Sequence, residues 1–237
     1  MRDGVSWSAY AAAYDLMAEH NPAYQSLVSD FQDVIQGWSM EPDSIILDVG
    51  AGTGNFSILA ADTFPECTVS HVDADEAMIE HARRKVEARD ITGVRFIQQK
   101  VEPHSFSPAS VSAIICVHAL YAIPQPKQLA RSFFDWLKPG GQLYVCDIGR
   151  VLSITDWSKY LFYELYRQHG LLKTLNLFWK GRAVSKENRA IRKAQQSGEY
   201  WTHDHGEFVN LFERAGFEIT SAETMYRGYS DRVTARK

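Results

Sequence analysis

The densest chemical signal in the chain is Asp48-Val49-Gly50-Ala51-Gly52-Thr53-Gly54, at the end of a short apolar run. Glycines at Gly50, Gly52 and Gly54 let a backbone turn tightly and approach a ligand with no Cβ in the way. The next stretch has helical spacing, so the free N–H groups of its first turn face the same ligand. Asp48 stands two residues before the first glycine, where it can meet a cationic group or cap a helix. A second acid, Asp73, ends Val69-Ser70-His71-Val72-Asp73 and lies 19 residues beyond Gly54. An acid there meets the ribose hydroxyls of an adenosine bound at the strand ends. A carboxylate accepts two hydrogen bonds at once, which suits a vicinal diol.

Which adenosine ligand this is depends on the glycine spacing. A dinucleotide fingerprint requires GxGxxG, but the third residue after Gly52 is Asn55. The pattern here is GxGxG with a preceding acid, which suits S-adenosylmethionine (SAM). SAM carries an α-ammonium and a cationic sulfur, so Asp48 has a use, and it has no pyrophosphate to accommodate. Met78, on the following helical stretch, is placed to flank the adenine.

Such residues must be held at the edge of a sheet. Apolar runs at Ile45–Val49, Thr68–Val72, Val94–Ile97, Ala113–Val117 and Gln142–Asp147 read as five strands. Between them, Asn55–Thr63, Asp75–Arg89 and Pro126–Leu137 have helical spacing, and Lys138-Pro139-Gly140-Gly141 reads as a turn. This alternation predicts an α/β fold: a Rossmann-like, doubly wound, mostly parallel sheet with helices on both faces. The runs are continuous rather than alternating, as in strands covered on both sides. Asn21-Pro22 opens a helix through about Gln36. After strand five no strand signal appears until Tyr200. Thr155–Gln168, a run from Leu171 to Trp179, and a helix capped by Ser185 and running to Gln196 read as a helical insertion. Phe208–Ala215 then reads as a helix, with Phe217–Met225 and Arg232–Arg236 as closing strands. The expectation is one domain over 1–237, made of an N-terminal helical cap (1–40), a SAM-binding core (41–150), a helical lid (151–200) and a C-terminal helix with strands (201–237).

From Ile46 through Lys138-Pro139-Gly140-Gly141 the chain resembles the class I SAM-dependent methyltransferase family, in its small-molecule branch. The resemblance covers roughly residues 40–150, and the Gly216-Phe217 return extends it to the C-terminus. It implies that Gly50, Gly52 and Gly54 line the methionine side of SAM, that Asp73 holds the ribose, and that Val101-Glu102 edges the adenine. Asp48, Ala51, Ala74, Met78 and Val117 complete the expected cofactor set. Many relatives carry an acid before the adenine-edging pair, where this chain has Lys100, so contact there falls to the backbone at Val101. The resemblance also implies that an N-terminal tyrosine, Tyr10 or Tyr14, touches SAM.

Methyl transfer from a sulfonium is a direct displacement, so alignment provides much of the catalysis. A base is needed only when the acceptor enters protonated. His118, at the end of strand four, is the candidate for that base or for a pocket wall. Tyr10, Tyr14, Tyr121, Tyr200, Trp201 and His203 are candidate acceptor contacts. His203 and His205 have no third ligand to make a metal site. No Asn/Asp-Pro-Pro-aromatic segment follows strand four, and no proline precedes Cys116, which argues against nucleobase chemistry. The leading expectation is a methyltransferase acting at O, N, S or C of a small metabolite. The alternatives are a SAM-fold binding module for RNA or a protein partner, or SAM chemistry other than methyl transfer.

Composition sets the outer limits. A chain of 237 residues with 45% hydrophobic residues supplies one real core. A net charge of −4 gives no overall pull towards nucleic acid or anionic membrane, despite a basic run from Lys173 to Lys193 opposed only by Glu187. Three separated cysteines make no zinc knuckle or disulfide framework and fit a reducing, cytoplasmic setting. No signal pattern or membrane-length apolar run is present. The expected partner is a small-molecule acceptor, with nucleic acid and membrane disfavoured, and with the chain as monomer or homodimer.

Overall fold

The computed structural model describes residues 6, 11, 14–16 and 19–237; Trp7 and Tyr10 lie outside the described residues. The apolar runs form β1 (Ile45–Val49), β2 (Thr68–Asp73), β3 (Val94–Gln98), β4 (Val111–Val117) and β5 (Leu137–Ile148). The C-terminal pair is β6 (Glu218–Met225) and β7 (Ser230–Arg236). All join one sheet in the order β3-β2-β1-β4-β5-β7-β6. The first five are parallel, and β7 inserts antiparallel between β5 and β6. From β1 the chain steps outward through β2 to β3, then crosses back to lay β4 on the other side of β1. A crevice therefore opens at the carboxyl ends of those strands.

The helices start where their caps dictate. Asn21 accepts the N–H of Ala23 to open α1 (Pro22–Gln36), and Gly54 opens α2 (Asn55–Thr63). Asp75 accepts the N–H groups of Ala77 and Met78 to open α3 (Glu76–Glu87). Then follow α4 (Pro126–Trp136), α5 (Ile154–Lys180), α6 (Arg182–Gln196) and α7 (His205–Ala215), the last behind an Asp204/Glu207 capping box. Successive residues of β4 feed opposite faces of the sheet. Ala113, Ile115 and Val117 pack with Tyr24, Leu27 and Phe31 of α1, while Ile114 and Cys116 pack with Leu129, Phe133 and Phe212 of α4 and α7.

Three local expectations need correction. Lys138-Pro139-Gly140-Gly141 lies within β5, where the pairing steps from Val111–Leu137 to Ala113–Gln142 and the intervening residues bulge out. α6 starts after Gly181, so Ser185 sits inside the helix and caps nothing. Gly170 breaks α5 internally at φ 73, ψ 175 rather than ending it, and Phe162 and Phe178, rings 5.8 Å apart, bring its two halves together.

Phe31 ties three elements together, its ring meeting Phe56 of α2 and Tyr144 of β5 edge-on, each at 5.0 Å. Phe31→Ala should lower unfolding free energy by about 3–5 kcal/mol, read from a urea midpoint at unchanged slope. A loss smaller than 1 kcal/mol would remove this junction from the core.

Candidate active site

β1 delivers Asp48 fully buried beneath the loop that follows it. There Ser57 of α2 donates its Oγ–H to Asp48 Oδ2 at 2.5 Å, and His71 Nδ1 lies 2.9 Å from the same hydroxyl. The Ser57 proton is spent on Asp48, so His71 is the donor in the second bond. Burial pushes Asp48 up to about 7, and the neighbouring Asp73 charge pushes the same way. Burial also lowers His71 to about 4, leaving it neutral. Asp48 is thus an acid held on the verge of ionisation, which a nearby cation would convert to carboxylate.

The glycine loop leaves β1 with Gly50 at φ 65 and Gly52 at φ 56. A Cβ on Gly50 would stand 2.4 Å from the Cβ of Ala119, so the loops after β1 and β4 touch there and glycine is required twice over. Gly54 has a different task from the other two. It faces α3, where a Cβ would meet Ala82 at 2.9 Å, and it does not line the groove. Asp73, at the end of β2, accepts the Gly52 N–H at Oδ2 (2.8 Å) and the Asp75 N–H at Oδ1 (2.9 Å). A carboxylate offers about four lone-pair sites, so acceptor capacity remains at Asp73 for a ligand.

These residues border one solvent-open groove. Asp48, Gly50, Ala51, Gly52, Asp73, Ala74, Met78, Val101, Glu102 and Val117 all line it, together with Tyr14, Lys100 and His118. A second cavity lies beside it, walled by β4 and β5 ends and by the inner sides of α5 and α6. Its lining is mainly apolar, with Trp157, Leu161, Leu177, Phe178 and Ile191, and Tyr121 faces it too. Among the described residues, only Tyr14 and His118 border both spaces.

His118 is held with unusual force for a side chain at such a junction. Its φ of 51 is left-handed, a conformation that costs a non-glycine residue roughly 1–3 kcal/mol. The backbone is pinned by its N–H to Cys146 O at 2.8 Å, and Nε2 lies 2.8 Å from Ser230 Oγ. The Tyr226 ring packs on the imidazole at 4.7 Å, and the Tyr226 hydroxyl accepts from Asn21 Nδ2 at 3.2 Å. Burial lowers His118 to about 3, so it is a neutral imidazole at any ordinary pH.

Three candidate acceptor contacts sit elsewhere. The chain returning from α6 runs over the end of the sheet, with Trp201 N–H bonded to Tyr121 O and His203 N–H to Gly149 O, both at 2.9 Å. Tyr200 therefore backs Tyr121 ring-to-ring at 5.4 Å, behind the cavity wall. Trp201 borders a separate surface hollow beside Lys127 and Arg131. His203 is buried, stacked on Phe208 at 4.4 Å, with Nδ1 3.4 Å from Asp231. None of the three lines either space, because this segment anchors the insertion to the sheet. Asn21, Tyr226 and Ser230 were invisible as site residues. Asn21 read only as a helix cap, and the other two reach His118 through pairing of β7 with β5, which no local pattern encodes.

Comparison with known proteins agrees with this geometry. The family described as a methyltransferase domain matches residues 46–141. A demethylmenaquinone methyltransferase of Listeria monocytogenes is 32% identical over 173 residues, 73% of this chain and 69% of its own. A malonyl-[acyl-carrier protein] O-methyltransferase of Paenibacillus is 26% identical over 68% of this chain and 58% of its own. Among solved structures, a SAM-dependent methyltransferase from Aquifex aeolicus superposes with a TM-score of 0.60 at 16% identity, covering 94% of this chain and 97% of that one. Sequence and fold converge on the expectation raised by the glycine loop and its two acids: the chain belongs to the class I SAM-dependent methyltransferase family, and SAM is its cofactor.

Proposed function

We propose that this enzyme transfers the SAM methyl group to a small, largely apolar acceptor seated in the cavity between β4 and the α5–α6 insertion. One observation carries the reading: groove and cavity adjoin, with Tyr14 and His118 as their shared border. SAM in the groove would supply a methyl group already activated on a sulfonium. Asp73 would hold the ribose with its remaining acceptor capacity, and Asp48 would answer the cationic end. Val101 and Met78 would enclose the adenine. One relative's name, demethylmenaquinone methyltransferase, fits an apolar acceptor. Residues 1–237 act in this reading as one catalytic domain, with 151–200 as the cavity's cover.

His118 is assigned to positioning the acceptor rather than taking its proton. A base works best with a pKa near the operating pH, and burial leaves His118 far below it. A neutral imidazole fixed by Ser230 can still present a hydrogen bond to the acceptor. Neutrality also suits the place, since an imidazolium beside a sulfonium would repel it.

Three measurements test these roles. Asp73→Ala should weaken SAM binding by roughly 2–4 kcal/mol, the loss of two charge-assisted bonds; unchanged calorimetric affinity in a folded variant would defeat the assignment. SAM affinity should fall as pH drops below about 7, because the cation binds best to ionised Asp48 and binding to the protonated form must expel a proton. A flat profile through that pH would separate Asp48 from the ligand. His118→Ala should lower kcat roughly tenfold, about one oriented hydrogen bond, with SAM affinity unchanged and no acidic limb lost. His118→Asn, which tolerates the left-handed backbone, should recover part of the rate. Disappearance of a limb near neutral pH in the alanine variant would instead make His118 the base.

A further inference from the structure

Among the described residues, every exposed large hydrophobic side chain falls between Val151 and Trp179. Leu172 is 85% exposed and Trp179 66%, and Phe162, Tyr163, Tyr166 and Leu175 lie open on the same helix. Leu172, Leu175 and Trp179 follow one another at helical spacing and so share a face. Phe162 and Tyr166 stack in parallel, and Phe162 also touches Phe178 of the second half. A continuous apolar surface is thus turned outward on α5, although isolated exposed residues would need no explanation.

Its surroundings are cationic. Between Arg150 and Ser197 the chain holds ten Lys and Arg against three Asp and Glu, in a protein of net charge −4. Lys173, Lys180 and Arg182 are exposed beside the apolar residues, and the Arg182 guanidinium lies 4.5 Å over the Trp179 ring. No described helix is long and apolar enough to cross a membrane.

We propose that the outer face of α5 docks on the surface of a bilayer containing anionic phospholipid. Aromatic and leucine side chains enter the headgroup boundary while the flanking lysines and arginines meet the lipid phosphates, the pattern of a helix that lies on a membrane. A second copy of the chain is disfavoured as the occupant, because a two-fold contact would set the two basic fields against each other. The purpose of the contact rests on the apolar-acceptor reading. The inner sides of α5 and α6 wall the acceptor cavity, so one hairpin would face lipid outside and acceptor inside.

The test needs neither acceptor nor turnover, so its failure is distinguishable from failure of that reading. The whole chain is sedimented with vesicles of phosphatidylcholine alone or of phosphatidylcholine with phosphatidylglycerol, at low and high salt. Binding is expected to the mixed vesicles at low salt and to fall with added salt. Leu172→Glu with Trp179→Glu, and separately Lys173→Glu with Lys180→Glu, should each cut the bound fraction roughly tenfold. SAM affinity should be unchanged in both double variants. Failure to bind mixed vesicles, or binding indifferent to both pairs of substitutions, overturns the proposal. So does a dimer in light scattering that the Leu172/Trp179 variant dissolves while vesicles bind nothing, which would make a second copy the occupant.

Discussion

The contact between the loops after β1 and β4 is the constraint from which the rest of the site follows. Gly50 meets Ala119 so closely that no side chain fits between them. That contact sets how near the groove on the β1 side can come to whatever lies past β4. Once the two loops touch, His118 is the residue immediately before the contact, and the chain turns through a left-handed conformation to leave the strand. The cost of that turn is met by pairing within the sheet, since its N–H is bonded to β5. The junction between groove and cavity is therefore a property of the contact between the loops after β1 and β4.

The insertion is held to this sheet by a buried polar cluster. Asp231 of β7 is fully buried, and burial alone would raise its pKa. Bonds from His203, Arg150, His205 and Thr224 overcome that and hold the carboxyl well below its usual range. A carboxyl depressed in the folded state adds stability that is present above its unfolded pKa of about 3.9 and is lost as pH falls through the folded value. The hold of residues 200–205 on the sheet is thus complete at neutral pH. Asp147 shows the opposite balance: burial drives its carboxyl well above the usual range.

What could be read in the sequence was what local physics encodes. Glycine spacing, the Asn21-Pro22 cap and the acids at the ends of β1 and β2 act through their own neighbourhood, and the fold class followed from them and from the continuous apolar runs. The groove lining from Asp48 to Val101 was legible for the same reason. His203 and Trp201 were misread because their aromatic and polar character suits a pocket as well as an anchor, and only β5–β7 pairing separates the two. Gly54 looked equivalent to Gly50 and Gly52, yet its missing side chain makes room for Ala82. The total of −4 averages the basic run of the insertion with an acidic remainder, so it carries no information on how charge is distributed over the surface.

The same burial governs both halves of the proposed chemistry. An apolar wall around the acceptor removes water from the nucleophile and lowers the effective dielectric, which strengthens every charge interaction inside. A positive donor and an electron-rich acceptor then attract each other more strongly than they would in water. The gain would be undone by any fixed positive charge at the junction, and burial prevents this by keeping His118 neutral. On the donor side the polarity is reversed: burial holds Asp48 near its titration midpoint at neutral pH, and an arriving cation draws it fully to carboxylate. In this reading the site holds less unpaired charge in the empty state than two free carboxylates would, and alignment across the Tyr14–His118 border is left as the main task of the protein.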